Sequence, residues 1–360
     1  MFADSNRPHE VNDMPETKLP VLKAKDFASD QDVRWCPGCG DYAILNAAQR
    51  VVAQTGHRRE NTVFISGIGC SSRFPYYMST YGFHSIHGRA PGFVTGLKVA
   101  NPELDVWMVT GDGDGFSIGG NHMMHILRRN VNVNLMLFNN RIYGLTKGRY
   151  SPTSEQGKKT KSTPMGSLDF PIDPVQVALA AGGTFIARST DKDRGLTDVL
   201  TEASKHVGTS FCEIYQICNI FNDGAFEPLT GKDTREDSVL YLEHGKPMIF
   251  GKDRDKGIRL VGNRPEVVAI GKDGISEDDL LFHDETNLTM AMMLARLHFP
   301  EFPEPLGVFY REDRPTYESL VSAQVDEAVS RRGAGSLDDL FNAGDTYVLG
   351  GPDSAHGLHE

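Results

Sequence analysis

Short apolar segments alternate with helix-like segments along most of this 360-residue chain, and this alternation restricts the fold more than any other feature. Predicted strands cover residues 62–66, 106–110, 133–138, 184–187 and 210–216. Predicted helices cover residues 42–54, 92–100, 122–129, 174–181 and 196–206. Strands that alternate with helices form parallel sheets with helices on both faces, so we expect an α/β fold with a doubly wound, mainly parallel sheet.

The chain is expected to have three parts. Residues 1–32 are polar and irregular, which indicates an N-terminal arm, and residues 33–224 hold the alternating pattern. Residues 225–360 form an expected C-terminal α+β extension, with strand-like pieces at 239–242, 258–261 and 267–270 and helices at 289–298 and 317–331. The polar loop 149–166 is too long for a simple connection and is predicted to be an active-site lid.

Composition excludes several classes of protein. The chain is 39% hydrophobic and 24% charged, as in ordinary globular proteins, and its net charge of −11 provides no basic surface for nucleic acid. The first thirty residues lack the apolar core of a signal peptide, and the apolar run at 133–138 is too short to cross a bilayer. We therefore expect a cytoplasmic protein without nucleic-acid or membrane partners.

Chemically useful residues follow four of the predicted strands, where an open parallel sheet binds its ligands. The segments are GIGCS after strand 62–66, GDGDG after 106–110, NN after 133–138 and CN after 210–216. GDGDG alone is compatible with a plain βα turn. Together with Asn140 at the end of the next strand, however, Asp112 can bind one Mg²⁺, with diphosphate oxygens completing the coordination.

The five cysteines indicate metal or catalytic use, because a reducing compartment disfavours a disulfide framework. Cys36 and Cys39 form a CxxC pair before a predicted helix, and such a pair suits a redox disulfide, half of a zinc site or half of an iron–sulfur site. Cys212 lies in the middle of a predicted strand, where a cysteine behaves as a small buried hydrophobe. Cys218 lies beyond that strand, on the edge where Cys70 also emerges, so Cys218 is the better candidate ligand.

The order of the motifs resembles one enzyme family. WCPGCGD, GIGCS, HGR, GDGDG and NNRIYGLTKG, in that order, resemble the beta subunits of 2-oxoacid:ferredoxin oxidoreductases, and most of all those that act on 2-oxoglutarate. The resemblance runs from about Trp35 to Asp223, and HDETNL and FPEPLGVFYR extend it weakly to about Arg311. It gives no support to the first 30 and the last 40 or so residues.

This resemblance implies a sheet of the thiamine-diphosphate-binding type and a set of site residues. The implied magnesium ligands are Asp112, Asn140 and the carbonyl of Ile142, and the implied diphosphate contacts are Gly113, Asp114, Gly144 and Leu145. The implied lining of the cofactor is Ile68, Gly69, Cys70, Ser71, His87 and Gly88. The implied ligands of a [4Fe–4S] cluster are Cys36, Cys39, Cys70 and Cys218. Spacing alone fits zinc equally well, but a position beside thiamine, through Cys70, favours an electron acceptor.

Two residues are predicted to take part in catalysis. Lys147 follows the NN motif and is expected to pair with a carboxylate of the substrate. His87 in HSIHGR is a candidate acid–base group, with a hydrogen-bonding role in a turn as the alternative, which applies equally to His84. His122 and His125 on a helix are expected to be structural.

The implied reaction is the oxidative decarboxylation of 2-oxoglutarate to succinyl-CoA and CO₂, with electrons passing through the cluster to ferredoxin in a reaction that low potential could reverse. Only one doubly wound domain fits in this chain, so the pyrimidine-binding domain is expected on an alpha subunit in an α2β2 assembly. One alternative is a pyruvate or broad-specificity enzyme of the same family. Others are a non-redox thiamine-dependent decarboxylase or synthase subunit with structural zinc, and a non-catalytic scaffold with a zinc clip.

Overall fold

The computed structural model describes residues 21–347, so residues 1–20 of the expected arm and the glycine-rich end at 348–360 lie outside the described residues. The strands are β1 (Thr62–Ser66), β2 (Tyr81–His84), β3 (Asp105–Gly111), β4 (Val133–Asn139), β5 (Phe185–Thr190), β6 (Thr209–Tyr215), β7 (Val239–Leu242), β8 (Ile249–Phe250), β9 (Lys256–Val261), β10 (Arg264–Ala269) and β11 (Glu304–Arg311).

The α-helices follow the predicted pattern closely in the first two thirds of the chain. They are α1 (Asp41–Val52), α2 (Ala90–Ala100), α3 (Asp112–Phe116), α4 (Gly120–Arg129), α5 (Pro174–Ala180), α6 (Leu196–Lys205), α7 (Glu227–Thr230), α8 (Arg235–Ser238), α9 (Leu288–Leu294), α10 (Tyr317–Arg332) and α11 (Leu337–Phe341). None of the helices within residues 21–347 combines the length and apolar character that crossing a bilayer requires.

The main sheet has eight strands in the order β2-β1-β3-β4-β6-β5-β11-β7. Every neighbouring pair is parallel except β11 with β5. The predicted doubly wound, mainly parallel sheet is therefore confirmed. Because β1, β3, β4 and β6 are parallel neighbours of one another, their carboxyl ends lie on one edge, as the motif argument required.

Both faces of the sheet are buried. In β1, Val63 and Ile65 pack into the core that α2, α4 and α5 cover, whereas Phe64 between them packs into the core beneath α1 and α6. Burying one such side chain stabilises the fold by about 1.5–3 kcal/mol. Strands held on both faces position the residues at their ends rigidly, which is what a binding site at this edge needs.

Two strands of the main sheet were not predicted. β2 is only four residues long, with all four residues exposed and only Tyr81 and Phe83 apolar, so it has no apolar run to detect. β11 contains Gly307 and Pro305, which weaken a strand pattern. Both β7 and β11 lie beyond residue 224, so the main sheet continues across the expected domain boundary. The antiparallel sheet β10-β9-β8 is the part of the C-terminal region that lies outside the main sheet.

Candidate active site

Two adjoining cavities lie at the carboxyl ends of the central strands. The first, called here the cofactor cavity, has a volume of about 140 Å³. It is lined by these predicted site residues: Ile68, Gly69, Cys70, Ser71, His87, Asp112, Gly113, Asp114, Asn140, Ile142, Gly144 and Leu145. The structure thus brings together segments that are up to 77 residues apart, between Ile68 and Leu145.

Asp112 is the buried acid of this cavity. It begins α3 directly after β3 and is 2% exposed. Its Oδ2 atom accepts hydrogen bonds from Ser151 Oγ at 2.5 Å and Thr153 Oγ1 at 2.6 Å. Burial raises the pKa of Asp112 above its usual value, and these two hydroxyl donors oppose the shift. A divalent cation would offset the cost of burying this charge, as expected for a magnesium ligand.

The two asparagines that follow β4 have different roles. Asn140 donates from Nδ2 to Gln216 Oε1 at 2.8 Å, and its Oδ1 accepts from the backbone of Ile142 at 3.1 Å. Asn139 points elsewhere, donating to Glu213 Oε1 at 2.7 Å. Asn140 and Asp112 both line the cofactor cavity, and their joint binding of Mg²⁺ stays a prediction, while Asn139 anchors the turn.

Asp114 holds the surrounding loops together. Its Oδ1 accepts from the backbone amides of Ile68 at 3.0 Å and Gly88 at 2.7 Å, and from His87 Nδ1 at 2.5 Å. Its Oδ2 accepts from Thr110 Oγ1 at 2.7 Å. The carboxylate is thus fully used within the protein, so the predicted diphosphate contact of Asp114 would have to come from its backbone.

His87 lines the cofactor cavity with one ring nitrogen already committed. Nδ1 donates to Asp114, which leaves Nε2 as the nitrogen available to a ligand. Its catalytic role stays a prediction. His84 ends strand β2 and does not lie in a turn, and its Nδ1 hydrogen-bonds to the backbone oxygen of Ser72 at 2.8 Å. His122 and His125 line neither this cavity nor the neighbouring one.

Glycine is required at one position of the GDG turn by the space around it. A Cβ atom on Gly113 would lie 2.1 Å from the ring of Tyr143, whose hydroxyl donates to the Gly113 carbonyl at 3.0 Å. Any side chain at this position would displace the tyrosine and open the cavity wall. The motif thus has a packing reason in addition to its backbone approach to phosphate.

The second cavity, called here the thiol cavity, has a volume of about 200 Å³ and is lined by Cys36, Cys39, Cys70 and Cys218. Cys212 is buried in β6 within the apolar core, as predicted. The two cavities share Cys70, Asn140, Gly144 and Leu145. A Cβ atom on Gly144 would lie 3.6 Å from the sulfur atoms of both Cys70 and Cys218. Gly144 therefore lies at the boundary of the two cavities, close to both thiols.

Two thiols of this cavity, those of Cys39 and Cys70, are costly to ionise. Burial raises the pKa of Cys70 to about 12, with smaller contributions from the Asp41 carboxylate and Cys218, and raises that of Cys39 further. Thiolates here therefore need a positively charged group such as metal ions. Among residues 21–347, no three His, Cys, Asp or Glu side chains converge on a single ion-sized point, so the thiols border a space instead.

Lys147 lines the thiol cavity and not the cofactor cavity. It is exposed, has a left-handed φ of 66°, and shares the cavity with Arg34 and Arg73. Within residues 21–347, no Asp or Glu lines this cavity. The predicted pairing of Lys147 with a substrate carboxylate stays a prediction, but the basic character of the surroundings agrees with it.

The sequence argument missed the residues that support the ligands. Ser151, Thr153 and Ser154 are buried, and Ser154 donates to the Arg141 carbonyl at 2.5 Å. These three residues lie near the beginning of the loop 149–166, which was predicted to be a lid. The first part of that loop is therefore buried in the site. Their only signal was a run of small hydroxyl residues shortly after the NN motif, and such runs are also typical of ordinary loops.

The doubly wound sheet, the GDG turn and the Asp112–Asn140 wall define a thiamine-diphosphate-binding domain. In agreement, residues 67–214 match the family described as "Thiamine pyrophosphate enzyme, C-terminal TPP binding domain". The chain is 52% identical, over 93% of its length and 91% of the relative, to "2-oxoglutarate oxidoreductase subunit KorB" of Mycobacterium tuberculosis. It belongs to the family of 2-oxoacid:ferredoxin oxidoreductase beta subunits.

Two further relatives agree. A subunit of Aeropyrum pernix named "2-oxoacid:ferredoxin oxidoreductase 2, subunit beta" is 43% identical over 55% of this chain and 64% of the relative. A solved structure from Magnetococcus marinus, a 2-oxoglutarate:ferredoxin oxidoreductase with 2-oxoglutarate, coenzyme A and succinyl-CoA bound, superposes with a TM-score of 0.71. It is 34% identical and covers 90% of this chain and 96% of its own. Membership among beta subunits implies an alpha partner.

Proposed function

We propose that this chain binds thiamine diphosphate, Mg²⁺ and a [4Fe–4S] cluster in an enzyme that converts 2-oxoglutarate and coenzyme A to succinyl-CoA and CO₂. Two electrons per turnover leave through the cluster, one at a time, to ferredoxin, and the reaction is reversible at low potential. The observation that carries the proposal is the shared wall: Cys70 and Gly144 line both the cofactor cavity and the thiol cavity. Decarboxylation and electron uptake then occur side by side.

The cofactor cavity fits thiamine diphosphate with magnesium. Asp112, the side chain of Asn140 and the carbonyl of Ile142 would hold the cation, and Gly113 and Gly144, which line the cavity, would lie against the diphosphate. Thiamine diphosphate, when bound, supplies the electron sink that allows the substrate carboxylate to leave as CO₂. The chain contributes position: Asp114 fixes the backbone of Ile68 and Gly88.

The thiol cavity fits a cluster better than zinc. Structural zinc needs four ligands about 2.3 Å from one point, whereas these four cysteines border a cavity of about 200 Å³. A [4Fe–4S] cluster, when bound, accepts and releases single electrons. Burial raises the pKa of Cys39 and Cys70, so a cluster bound to them would be partly shielded from water beside the cofactor.

The choice of 2-oxoglutarate is supported by the relatives. The Mycobacterium tuberculosis relative is named for that acid, and the Magnetococcus marinus structure contains it together with coenzyme A and succinyl-CoA. We propose that Lys147 binds a carboxylate of the substrate. We also propose an α2β2 assembly, because the pyrimidine-binding half of a thiamine site has no second doubly wound domain to occupy among residues 21–347.

The test is coenzyme A-dependent reduction of ferredoxin and of a viologen dye by the complex, with 2-oxoglutarate, pyruvate and 2-oxobutyrate compared at equal concentrations. We expect 2-oxoglutarate to give the highest kcat/KM. A preference for pyruvate would replace the substrate but keep the redox chemistry. Release of CO₂ without dye reduction would instead support a non-redox decarboxylase.

A further inference from the structure

Only one oxygen of the Asp112 carboxylate, Oδ2, accepts hydrogen bonds from side chains among the described residues. Ser151 Oγ and Thr153 Oγ1 both donate to Oδ2, at 2.5 and 2.6 Å. Among residues 21–347 no side chain donates to Oδ1. Because Asp112 lines the cofactor cavity, the two hydroxyls fix the carboxylate and leave Oδ1 for a ligand in that cavity.

The direction of the Thr153 hydroxyl proton is settled by its two neighbours. Thr153 Oγ1 lies 2.6 Å from Asp112 Oδ2 and 2.9 Å from Asn139 Oδ1, and one hydroxyl has one proton to donate. The carboxylate is both closer and charged, so it receives the stronger hydrogen bond. Thr153 therefore donates chiefly to Asp112 Oδ2, and Asn139 Oδ1 receives the weaker branch of a hydrogen bond shared between the two acceptors.

Asn139, which contacts Thr153, is itself bonded to a buried ion pair. Asn139 donates to Glu213 Oε1 at 2.7 Å, and Glu213 Oε2 accepts from Arg188 Nε at 2.6 Å. Arg188 and Glu213 are completely buried in β5 and β6. Short contacts between buried groups thus lead from Arg188 in β5 through Glu213, Asn139 and Thr153 to Asp112. They restrict the side-chain conformation of Thr153.

We propose that Ser151 and Thr153 are positioning residues that hold Asp112 in the orientation in which its Oδ1 binds Mg²⁺, and that they thereby set the affinity of the site for the divalent cation. This inference rests on the magnesium site of the proposed function. If the hydroxyls merely fastened the loop 149–166, their removal would lower stability and leave the affinity for Mg²⁺ unchanged.

The test measures cation affinity in the complex of this chain with its partner subunit, stripped of cofactor and metal by a chelator. Mg²⁺ is titrated at a fixed concentration of thiamine diphosphate, and cofactor binding is followed by calorimetry. The variants are Thr153→Val and Ser151→Ala, with Thr153→Ser as the conservative rescue. Thr163→Val is the matched control, because Thr163 hydrogen-bonds to Thr160 and Lys158 in the same loop and not to Asp112.

We expect Thr153→Val and Ser151→Ala each to raise the apparent Kd for Mg²⁺ by about 10- to 100-fold, the usual effect of removing a support of a metal ligand. Thr153→Ser should return it to near the wild-type value, and Thr163→Val should leave it unchanged. If Thr153→Val and Ser151→Ala kept the wild-type affinity for Mg²⁺, or if Thr163→Val lost as much affinity as they do, this inference would be wrong but the proposed magnesium site would stand. Absence of Mg²⁺-dependent cofactor binding in the wild type would overturn the proposed magnesium site as well.

Discussion

The two cavities share a wall, yet the charges behind them are arranged in opposite ways. Behind the cofactor cavity, the buried Arg188 contacts Glu213 at 2.6 Å, Glu304 at 2.8 Å and Asp173 at 3.3 Å. Behind the thiol cavity, Asp41 is completely buried and neither carboxylate oxygen has a hydrogen-bond partner of normal geometry among the described residues. Burial raises the pKa of Asp41 to about 7, and repulsion from Asp191 adds to the shift while the Cys39 thiol opposes it.

The two sites therefore differ in whether their buried charges have partners within the protein. The charges around Arg188 behind the cofactor cavity are paired within the protein, so this support is expected to persist without a ligand, although the cost of burying Asp112 itself is offset only when a cation binds. The thiol side contains the buried acid Asp41, which forms no ion pair with the residues at 21–347, and burial raises the pKa of the Cys39 and Cys70 thiols, so the stability of this side should depend on the group it binds. We therefore expect the cofactor site to be preorganised and the thiol site to be coupled to loading.

Asp112→Asn should break the cofactor side alone. The change keeps the shape of the side chain and removes the charge that would bind Mg²⁺, so coenzyme A-dependent turnover should fall about a thousand-fold, equivalent to roughly 4 kcal/mol of lost stabilisation. Iron content of the purified complex should stay at the wild-type value. Loss of iron together with turnover would show that the two cavities do not behave as separate sites.

Cys218→Ala and Cys212→Ala form a matched pair for the thiol side. Cys218 lines the thiol cavity, so its removal should deplete the iron and abolish ferredoxin reduction. Cys212 is 2% exposed in the apolar core, and its removal should cost about 1 kcal/mol of stability and leave the iron in place. Iron analysis and visible absorption distinguish the two. Equal iron in both variants would contradict the assignment of Cys218.

Arg188→Met tests the paired charges behind the cofactor cavity. It leaves Glu213 buried with no contacting cation among residues 21–347 and leaves Glu304 with only the partly exposed His298, which should destabilise the complex by about 3–5 kcal/mol. Arg311→Met is the control, because Arg311 contacts Glu202 at 3.1 Å with a side chain that is 31% exposed, and such pairs contribute about 1 kcal/mol or less. Denaturant midpoints give the comparison. Equal shifts would mean that the cluster around Arg188 is not special.

The charge cluster behind the cofactor cavity should also make stability depend on pH, through His298, with a smaller effect. Burial alone would lower the pKa of His298, but hydrogen bonds to Asp173 and Glu304 raise it to about 9. The stabilisation is thus fully present below the unfolded value of about 6.5 and is lost as the pH rises through 9. Because the side chain is 39% exposed, water screens these pairs, and we expect a loss of about 1 kcal/mol.

His298→Gln should flatten the fall in stability between about pH 6.5 and 9, as measured by denaturant midpoints across that window. His206→Gln is the control, because burial lowers the pKa of His206 to about 4. Its contribution therefore changes between about pH 4 and 6.5, with the opposite sign, and not in the alkaline window. An unchanged slope in His298→Gln would disprove the predicted role of this histidine.

The sequence was sufficient for the parts of the site that local rules control. Strands β1, β3, β4 and β6 are short, apolar and bounded by glycine or asparagine, so their ends could be located and their residues placed on one edge. The separation of Cys212 from Cys218 followed from strand periodicity alone. Both arguments use positions within a few residues of a strand end, where the backbone dictates direction.

The parts that could not be predicted depend on contacts between distant segments. Asp114 was predicted to contact the diphosphate, which stays a prediction, but the sequence did not show that its carboxylate holds Ile68 and Gly88, which come from loops after two other strands. Likewise the grip of Thr153 on Asp112 joins residues 41 positions apart. No local pattern records such pairs. The place of β11 in the main sheet is a similar case, because its partners β5 and β7 are more than sixty residues away in the sequence.

The most direct test of the central claim, that a redox cluster lies beside the thiamine site, is the iron, acid-labile sulfide and zinc content of the complex purified without oxygen. The account predicts about four irons and about four sulfides per chain, with negligible zinc. Stoichiometric zinc without sulfide would contradict it, because the thiol cavity would then hold a structural ion and the electrons would have no path to ferredoxin.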